Sequence, residues 1–218
     1  MTTLIALDTS GALCSVALLH DGVFHQLTRH VVRKHNLVVL EMLDALCREV
    51  GILPALIEGV AYVRGPGSFT GVRLCVSVAQ AVALASGAQV FGCTTSRLLA
   101  LHAQAQGCSE VVTVVRSRGE TCYLAAFRQV TSHELMQQYE EEVLTDSPPD
   151  WLVGNGEVAG DLPAWLPVPF TALPMDNTPA LTLLQHAAVC WPETGWTSVE
   201  SALPMYIEGD HPWRPVAG

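Results

Sequence analysis

The sequence predicts an α/β protein with two related domains of βββαβα type. Three observations support this prediction: short apolar runs of strand length, apolar residues at helical spacing between them, and a partial restart of that order after residue 106. Residues 1–106 follow the order β-β-β-α-β-α-β-α, and residues 107–200 repeat it as a smaller, degenerate second domain. Residues 201–218 form a tail that we expect to pack back on the first domain.

The first domain carries the clearer signals. Asp21-Gly22 separates two apolar runs and is typical of a hairpin turn, because glycine tolerates positive φ. Apolar residues then recur at three- and four-residue steps from Leu37, which predicts a helix capped by Asn36 and ended by Gly51. The predicted strands are residues 4–7, 14–19, 23–28, 60–63 and 89–93, and the predicted helices are residues 37–50, 72–86 and 97–106.

The second domain gives weaker signals. Five prolines between residues 162 and 179 predict an irregular segment, because proline cannot donate a backbone hydrogen bond. Leu181, Leu184 and Ala188 lie at helical spacing. The predicted strands are residues 111–115, 122–127, 135–139 and 151–153, and the predicted helix is residues 181–191.

Charge is divided unevenly along the chain. The 11 Lys and Arg against 21 Asp and Glu give a net charge of −10. Residues 1–130 have a net charge of +2, whereas residues 131–218 have a net charge of −12, with Arg214 as their one Lys or Arg. Tight phosphate binding needs several cations to replace condensed counterions. If the protein works on nucleic acid, its first half or a partner must therefore make the contact.

Composition predicts a cytoplasmic protein with a sizeable core. Hydrophobic residues make up 50% of the chain, yet no uninterrupted apolar run reaches the roughly 20 residues of a membrane-spanning helix. The opening segment has no basic region and reaches Asp8 at once, unlike a signal peptide. The seven cysteines form no C-x-x-C pair, which predicts reduced, buried thiols.

The first candidate site is the turn DTSG at residues 8–11, after the first strand. An acid and two hydroxyls in a tight turn can contact phosphate and a hydrated metal ion. The same residue types are common in ordinary hairpin turns, so the turn alone does not decide between the two interpretations.

The second candidate site is RGPGSFTGVR at residues 64–73, which leads into a helix. Backbone N–H groups at a helix start can hold an anion, but glycines also allow a strand and a helix to approach closely. The segment has no Lys after its glycines, so it is not a Walker A loop. Its motif residues are Gly65, Gly67, Ser68, Thr70, Gly71 and Arg73.

Four segments together resemble one known family. They are LIALDTS (4–10) with CSVAL (14–18), RGPGSFTGVR (64–73), KH (34–35) before the first helix, and LPMYI (203–207). The resemblance is to the bacterial TsaB (YeaZ) family of tRNA threonylcarbamoyladenosine biosynthesis, once grouped as glycoprotease-like. It covers nearly the whole chain and is strongest over residues 1–106.

The resemblance implies a fold and a role. The fold is that of two domains of the actin, sugar-kinase and Hsp70 (ASKHA) type. The role is that of a partner subunit without catalytic residues, which the TsaD threonylcarbamoyltransferase needs to modify the adenosine beside the anticodon of ANN-reading tRNAs. A TsaE-type P-loop ATPase joins through the complex, tRNA is reached only through the complex, and the chain alone is expected to form a homodimer.

The resemblance also bears on the sites. Asp8, Thr9 and Ser10 become vestigial nucleotide-site candidates, so no cofactor is expected in isolation, although the complex could bind a nucleotide. The family commonly has Asp-Ala-Arg where this chain has RSR at residues 116–118, which removes an acid. The H-x-E-x-H metal pattern of the catalytic paralogue does not occur in this chain, so no metal is expected.

The two helices at residues 37–50 and 72–86 are the expected partner interface. The second is apolar on nearly every face, whereas a helix that covers a sheet needs only one apolar stripe. The surplus apolar surface is typical of an interaction site. The expected interface residues are Leu37, Leu40, Val78, Ala81 and Leu84.

Two other classes of function compete with this one. The first is an enzyme, either a metallo-peptidase or a small ATPase or kinase, which would need a metal site, an activated nucleophile or phosphate loops in both domains. The second is direct tRNA binding by a small basic patch. Its residues would be Arg29, Arg33, Lys34 and Arg48.

Overall fold

A computed structural model describes most of the chain. The described residues are 2–31, 34–131, 134–138, 143–152, 156–166, 170–173 and 179–207. They form two mixed β-sheets, one from each predicted domain, together with four α-helices and two short 3-10 turns.

The first sheet has five strands in the order β3-β2-β1-β4-β5. The first three strands form an antiparallel meander, and β4 and β5 run parallel to β1. Every residue of β1 and β4 is buried, which requires cover on both faces of the sheet. The strands are β1 (Thr3–Asp8), β2 (Leu13–His20), β3 (Val23–His30), β4 (Gly59–Val63) and β5 (Gln89–Cys93).

The second sheet repeats this topology. Its order is β11-β10-β6-β7-β8, with β6, β7 and β8 antiparallel and with β10 and β11 parallel to β6. The additional strand β9 pairs with β7. The predicted α/β fold with two related domains is therefore confirmed. The strands are β6 (Glu110–Arg116), β7 (Cys122–Thr131), β8 (Glu134–Gln137), β9 (Val143–Thr145), β10 (Gly156–Gly160) and β11 (Phe170–Ala172).

Three short strands of this sheet differ from the prediction. Trp151 and Leu152 lie outside any strand, and the strand that pairs with β6 is β10, at 156–160. Strands β9 and β11, of three residues each, had not been predicted. Three residues are too few to show an alternating pattern, and β11 lies in the proline-rich segment.

The four helices lie close to the predicted positions. They are α1 (His35–Val50), α2 (Phe69–Ser86), α3 (Thr95–Ala105) and α4 (Pro179–Cys190). Lys34, rather than the predicted Asn36, occupies the N-cap position of α1, and Asn36 lies inside the helix. Helix α2 begins three residues earlier than predicted, because the Ser68 side chain caps it by accepting a hydrogen bond from Gly71 N at 3.3 Å.

The helices do not follow the division between residues 106 and 107. Helices α1 and α2 contact each other and the first sheet. Helix α3, expected in the first domain, contacts β6, β7 and β10, whereas α4, expected in the second, contacts β1 and β2. Helical periodicity locates a helix along the chain but does not say which sheet it covers.

The start of the tail lies against the first domain. Gln80 Nε2 donates to Ala202 O at 2.7 Å, and Met205 N donates to Arg64 O at 2.7 Å. Residues 208–218 lie outside the described part, so the packing of the whole tail on the first domain stays a prediction.

Helix α2 is the one described helix that is long and apolar enough to cross a membrane, judged by length and composition alone. It is also a core helix in this fold. It contacts β1 and β4, and its side chains Cys75, Val76 and Ala79 are almost completely buried.

The structure separates the five expected interface residues into two groups. Val78 is only 7% exposed and belongs to the core, so its assignment to the interface was wrong. Ala81 and Leu84 lie on the exposed side of α2, and Leu37 and Leu40 are exposed on α1. Sequence could not set the rotation of α2 because apolar residues surround the helix.

We expect Val78→Arg to destabilise the chain by about 3 kcal/mol or more, because it places an unpaired charge in the core. Ala81→Glu, on the exposed side of the same helix, should change the free energy of unfolding of the monomer by less than about 0.5 kcal/mol, provided that the protein concentration is low enough to keep the chain monomeric. Urea denaturation of both variants measures the difference. Equal stability of the two variants would contradict the burial of Val78.

Candidate functional site

The turn after β1 encloses its acid. Asp8 is 6% exposed, and its Oδ1 accepts a hydrogen bond from Ser10 N at 2.8 Å. Thr9 and Ser10 are buried as well, so among residues 8–11 only Gly11 is exposed. Burial raises the pKa of Asp8, against the opposing effects of the Ser10 hydrogen bonds and the charge of His35.

The Gly-rich segment at residues 64–73 packs directly on this turn. Ser68 N donates to Ser10 O at 2.7 Å, and Thr9 Oγ1 donates to Gly71 O at 2.7 Å. A Cβ atom on Gly71 would collide with the Thr9 carbonyl oxygen, and one on Gly67 would lie 2.7 Å from Ser10 O. Both glycines therefore permit a close approach of two backbones.

The same segment holds three other parts of the chain. Arg64 N donates to Cys93 O at 2.9 Å at the end of β5, and Thr95 N donates to Gly65 O at 2.8 Å at the start of α3. Gly65 has φ +108°, and a Cβ atom there would lie 3.2 Å from Met205 O in the tail. The backbone of this segment is thus the point where sheet, helix and tail meet.

Arg73 contacts the tail. Its guanidinium carbon lies 3.3 Å from the centroid of the Phe69 ring and 5.3 Å from that of Tyr206. Its Nε also donates to Tyr206 Oη at 2.9 Å. The cation is therefore engaged by two aromatic side chains of its own chain.

A cleft of about 440 Å³ lies between the two sheets. The β1–β2 turn and the Gly-rich segment line one side, and the end of β6 with the turn after it lines the other. The lining residues are Ser10, Gly11, Pro66, Gly67, Ser68, Phe69, Thr95, Val115, Arg116, Ser117, Arg118 and Asp161. The structure thus brings Ser10 and residues 66–69 together with the RSR turn, while Asp8 and Thr9 are not among the lining residues.

A second cavity, of about 750 Å³, lies between the start of α1 and the Gly-rich segment. Thr70 and Gly71 line it together with His35, whose Nε2 is buried without a hydrogen-bond partner in the described part of the chain. Sequence reasoning did not select His35 as a site residue, although His35 belongs to the KH segment that carries part of the family resemblance.

Within the described residues, no group of three or more His, Cys, Asp or Glu side chains is placed to hold a metal ion. All seven cysteines are free, six of them are buried, and Cys75 Sγ donates to Leu7 O at 3.2 Å. Burial raises the pKa of Cys75 to about 12, so this thiol stays protonated at neutral pH.

Two sheets of matching topology with a cleft between their first turns define an α/β protein of the actin, sugar-kinase and Hsp70 class. Known proteins show to which family of this class the chain belongs. The family model described as "TsaD: tRNA N6-adenosine threonylcarbamoyltransferase" matches residues 26–145, more than half of the 218 residues. The chain belongs to this family, and its full-length relatives place it among the TsaB (YeaZ) proteins.

These relatives cover the whole chain. The tRNA threonylcarbamoyladenosine biosynthesis protein TsaB of Escherichia coli is 28% identical over 99% of this chain and 98% of its own length. TsaB of Haemophilus influenzae is 27% identical with the same coverage. Among solved structures, YeaZ from Pseudomonas aeruginosa superposes with a TM-score of 0.79 and 29% identity, over 95% of this chain and 100% of that one.

We expect Gly71→Ala to destabilise the fold by about 2 kcal/mol or more, because the new Cβ collides with the Thr9 carbonyl. Gly11→Ala is the matched control, since no atom lies within 4 Å of a Cβ at that position. Urea denaturation compares the two variants. Equal stability would show that the segment and the turn are not in close contact.

We expect Asp8→Asn to raise the thermal midpoint at pH 7.5. Because the pKa of folded Asp8 is raised above 3.8, the stability contributed by this group is present below its unfolded pKa and lost as pH rises through the folded value. Asparagine removes the desolvated charge and retains an oxygen that accepts from Ser10 N. The gain should disappear below about pH 3.8.

Thermal melts of the parent chain and of the Asp8→Asn variant, from pH 7.5 down to below about pH 3.8, measure this difference in thermal midpoint. Asp150→Asn removes an exposed carboxylate and should show no such pH-dependent gain. A lower midpoint for Asp8→Asn at pH 7.5 would mean that the charged form of Asp8 stabilises the fold.

Proposed function

We propose that this chain is a non-catalytic partner subunit of tRNA threonylcarbamoyladenosine biosynthesis. A TsaD-type transferase would need it to modify the adenosine next to the anticodon of ANN-reading tRNAs. The observation that carries this proposal is an exposed apolar surface on α1 and α2, which we name the docking face. It consists of Leu37, Leu40, Ala81 and Leu84.

The docking face has the chemistry of a protein contact. Leu37 is 65% exposed, Leu40 56% and Leu84 70%, and the two helices that carry them contact each other. Complete burial of an exposed leucine is worth about 1.5–3 kcal/mol, so three such residues supply a substantial part of an association free energy. The same face can pair with itself across a two-fold axis, which makes a homodimer the expected state of the isolated chain.

The candidate site residues also favour a supporting role. Asp8 is enclosed, and Gly67 and Gly71 are occupied in packing against the turn that contains it. Arg73 is engaged by Phe69 and Tyr206. These contacts hold the domain together, and docking through α1 and α2 requires no cofactor. A TsaE-type ATPase would join through the transferase.

The distribution of charge favours tRNA contact through the complex rather than by this chain alone. Of the basic patch considered as an alternative, Arg29 pairs with Glu41 at 3.0 Å and Arg48 pairs with Asp44 at 2.9 Å. Arg33 lies outside the described residues. Cations that are already paired contribute less to phosphate binding, and the net charge of −12 beyond residue 130 repels the phosphate groups of tRNA.

Co-purification with a TsaD-type transferase, followed by a tRNA modification assay with and without this chain, tests the proposal. We expect Leu40→Glu and Leu84→Glu to weaken the pairing at least about tenfold, because each places a charge in a desolvated contact. Leu162→Glu is the matched control, since this exposed leucine lies in the second domain. Pairing that both docking-face variants leave unchanged would place the interface elsewhere.

The enzyme alternative predicts a different outcome. Metal-dependent peptide hydrolysis or ATP turnover by the isolated chain, lost in Asp8→Asn, would favour a metallo-peptidase or a small ATPase or kinase. Modification activity of the transferase that does not depend on this chain would also argue against the partner role.

A further inference from the structure

The first turns of two helices border the cavity of about 750 Å³ beside His35. His35 and Asn36 are the first residues of α1, and Ser68, Thr70 and Gly71 lie at the start of α2. The N-terminus of an α-helix carries a partial positive charge, because its first N–H groups have no partner within the helix. Two such ends at one cavity favour a ligand with negative charge.

Several polar side chains of this cavity lack partners. His35 Nε2 is buried without a hydrogen-bond partner, and the side chains of Asn36 and Thr70 make no hydrogen bond within the described residues. The Ser68 hydroxyl accepts from Gly71 N, which leaves its own proton free to donate. A buried polar atom without a partner is costly, so it indicates a group that the chain itself does not supply.

The charges of the lining select the kind of anion. Among the described residues that line the cavity there is no Asp, Glu, Lys or Arg. Asp8 interacts electrostatically with His35 but is enclosed in the β1–β2 turn and is not part of this lining. Phosphate groups and other multiply charged anions are bound by such cations, whereas hydroxyl, amide and imidazole donors beside a helix N-terminus suffice for one carboxylate.

The other side chains of the lining are aliphatic. They belong to Ala12, Val31 and Leu74. A cavity of about 750 Å³ has the size of a site for a small organic molecule rather than for a single ion. An apolar wall opposite a few polar groups is the usual arrangement of a site that orients an amphipathic ligand.

We propose that this cavity binds a small aliphatic monocarboxylic acid. Its carboxylate accepts hydrogen bonds from the polar side chains at the two helix starts, and its hydrocarbon chain packs against the aliphatic wall. The cavity differs from the cleft between the sheets, since the two share only Gly11 and Ser68 among their described lining residues. Binding there does not depend on the docking face or on a partner.

Titration calorimetry of the isolated chain with sodium hexanoate tests the proposal. We expect a dissociation constant of about 1 mM or lower, which is within the affinity that a ligand of this size reaches in a matched cavity. Hexanamide should bind at least about tenfold more weakly, because it lacks the negative charge that strengthens the hydrogen bonds. Acetate should also bind at least about tenfold more weakly, because it lacks the hydrocarbon chain.

Two variants on different helices locate the site. His35→Leu removes the imidazole and should weaken hexanoate binding about tenfold, and Thr70→Val removes one hydroxyl and should weaken it about threefold. His30→Leu is the matched control, since it makes the same change at an exposed position outside the lining and should leave binding unchanged. Leu84→Glu, near the other end of α2, should weaken pairing with the transferase and leave hexanoate binding unchanged.

Urea denaturation shows whether each variant is folded. His35→Leu should be at least as stable as the parent chain, because the Nε2 atom that it removes has no hydrogen-bond partner in the described part of the chain. If His35→Leu does not fold, Thr70→Val decides, because this exposed residue loses only a hydroxyl group that makes no hydrogen bond within the described residues.

Four results would overturn the proposal. Absence of hexanoate binding at millimolar concentration would show that the cavity does not hold an acid. Equal affinity for hexanamide would show that the carboxylate is not recognised, and equal affinity for acetate would show that the aliphatic wall takes no part. Hexanoate binding that the folded His35→Leu and Thr70→Val variants retain in full would place the acid outside this cavity.

Discussion

The close contact between the Gly-rich segment and the β1–β2 turn is the constraint on which the rest of the structure depends. Two backbones approach at Gly71 and Thr9 so closely that no side chain fits between them. This approach positions the first turn of α2, and the Ser68 cap and the Ser68–Ser10 hydrogen bond follow from it. The start of α3 and the tail then attach to the same segment. The Gly-rich segment therefore serves mainly to pack these parts of the chain together.

The same contact explains which residues of the first domain face the core, which face the cleft and which are exposed on α2. Once the start of α2 is fixed on the turn, its rotation is set, so that Val78 faces the core and Ala81 and Leu84 face outward beside α1. Asp8 is sealed beneath the segment while Ser10 and Ser68 reach the cleft. This one contact therefore buries Asp8, leaves Ser10 and Ser68 at the cleft between the sheets and leaves the docking face exposed.

Much of the fold could be predicted because its signals are local. The meander β1–β3 and the stop of α1 at Gly51 each follow from a turn residue, whereas the start of α2 lies three residues before the predicted one. The turns at residues 8–11 and 64–73 were also recognisable as candidate sites. The cavity beside His35 could not be predicted from the sequence, because its walls come from segments far apart in the chain.

The sequence by itself determined the class of fold, the order of most elements and the family, because periodicity, glycine-rich turns and a ten-residue motif are all readable along one chain. Tertiary structure decided which sheet each helix covers, since α3 and α4 each pack on the sheet opposite to the one their order suggested. It also decided that Val78 is buried and that Arg73 holds Tyr206. The physical reason is that burial and pairing depend on contacts between distant residues, which local spacing does not encode.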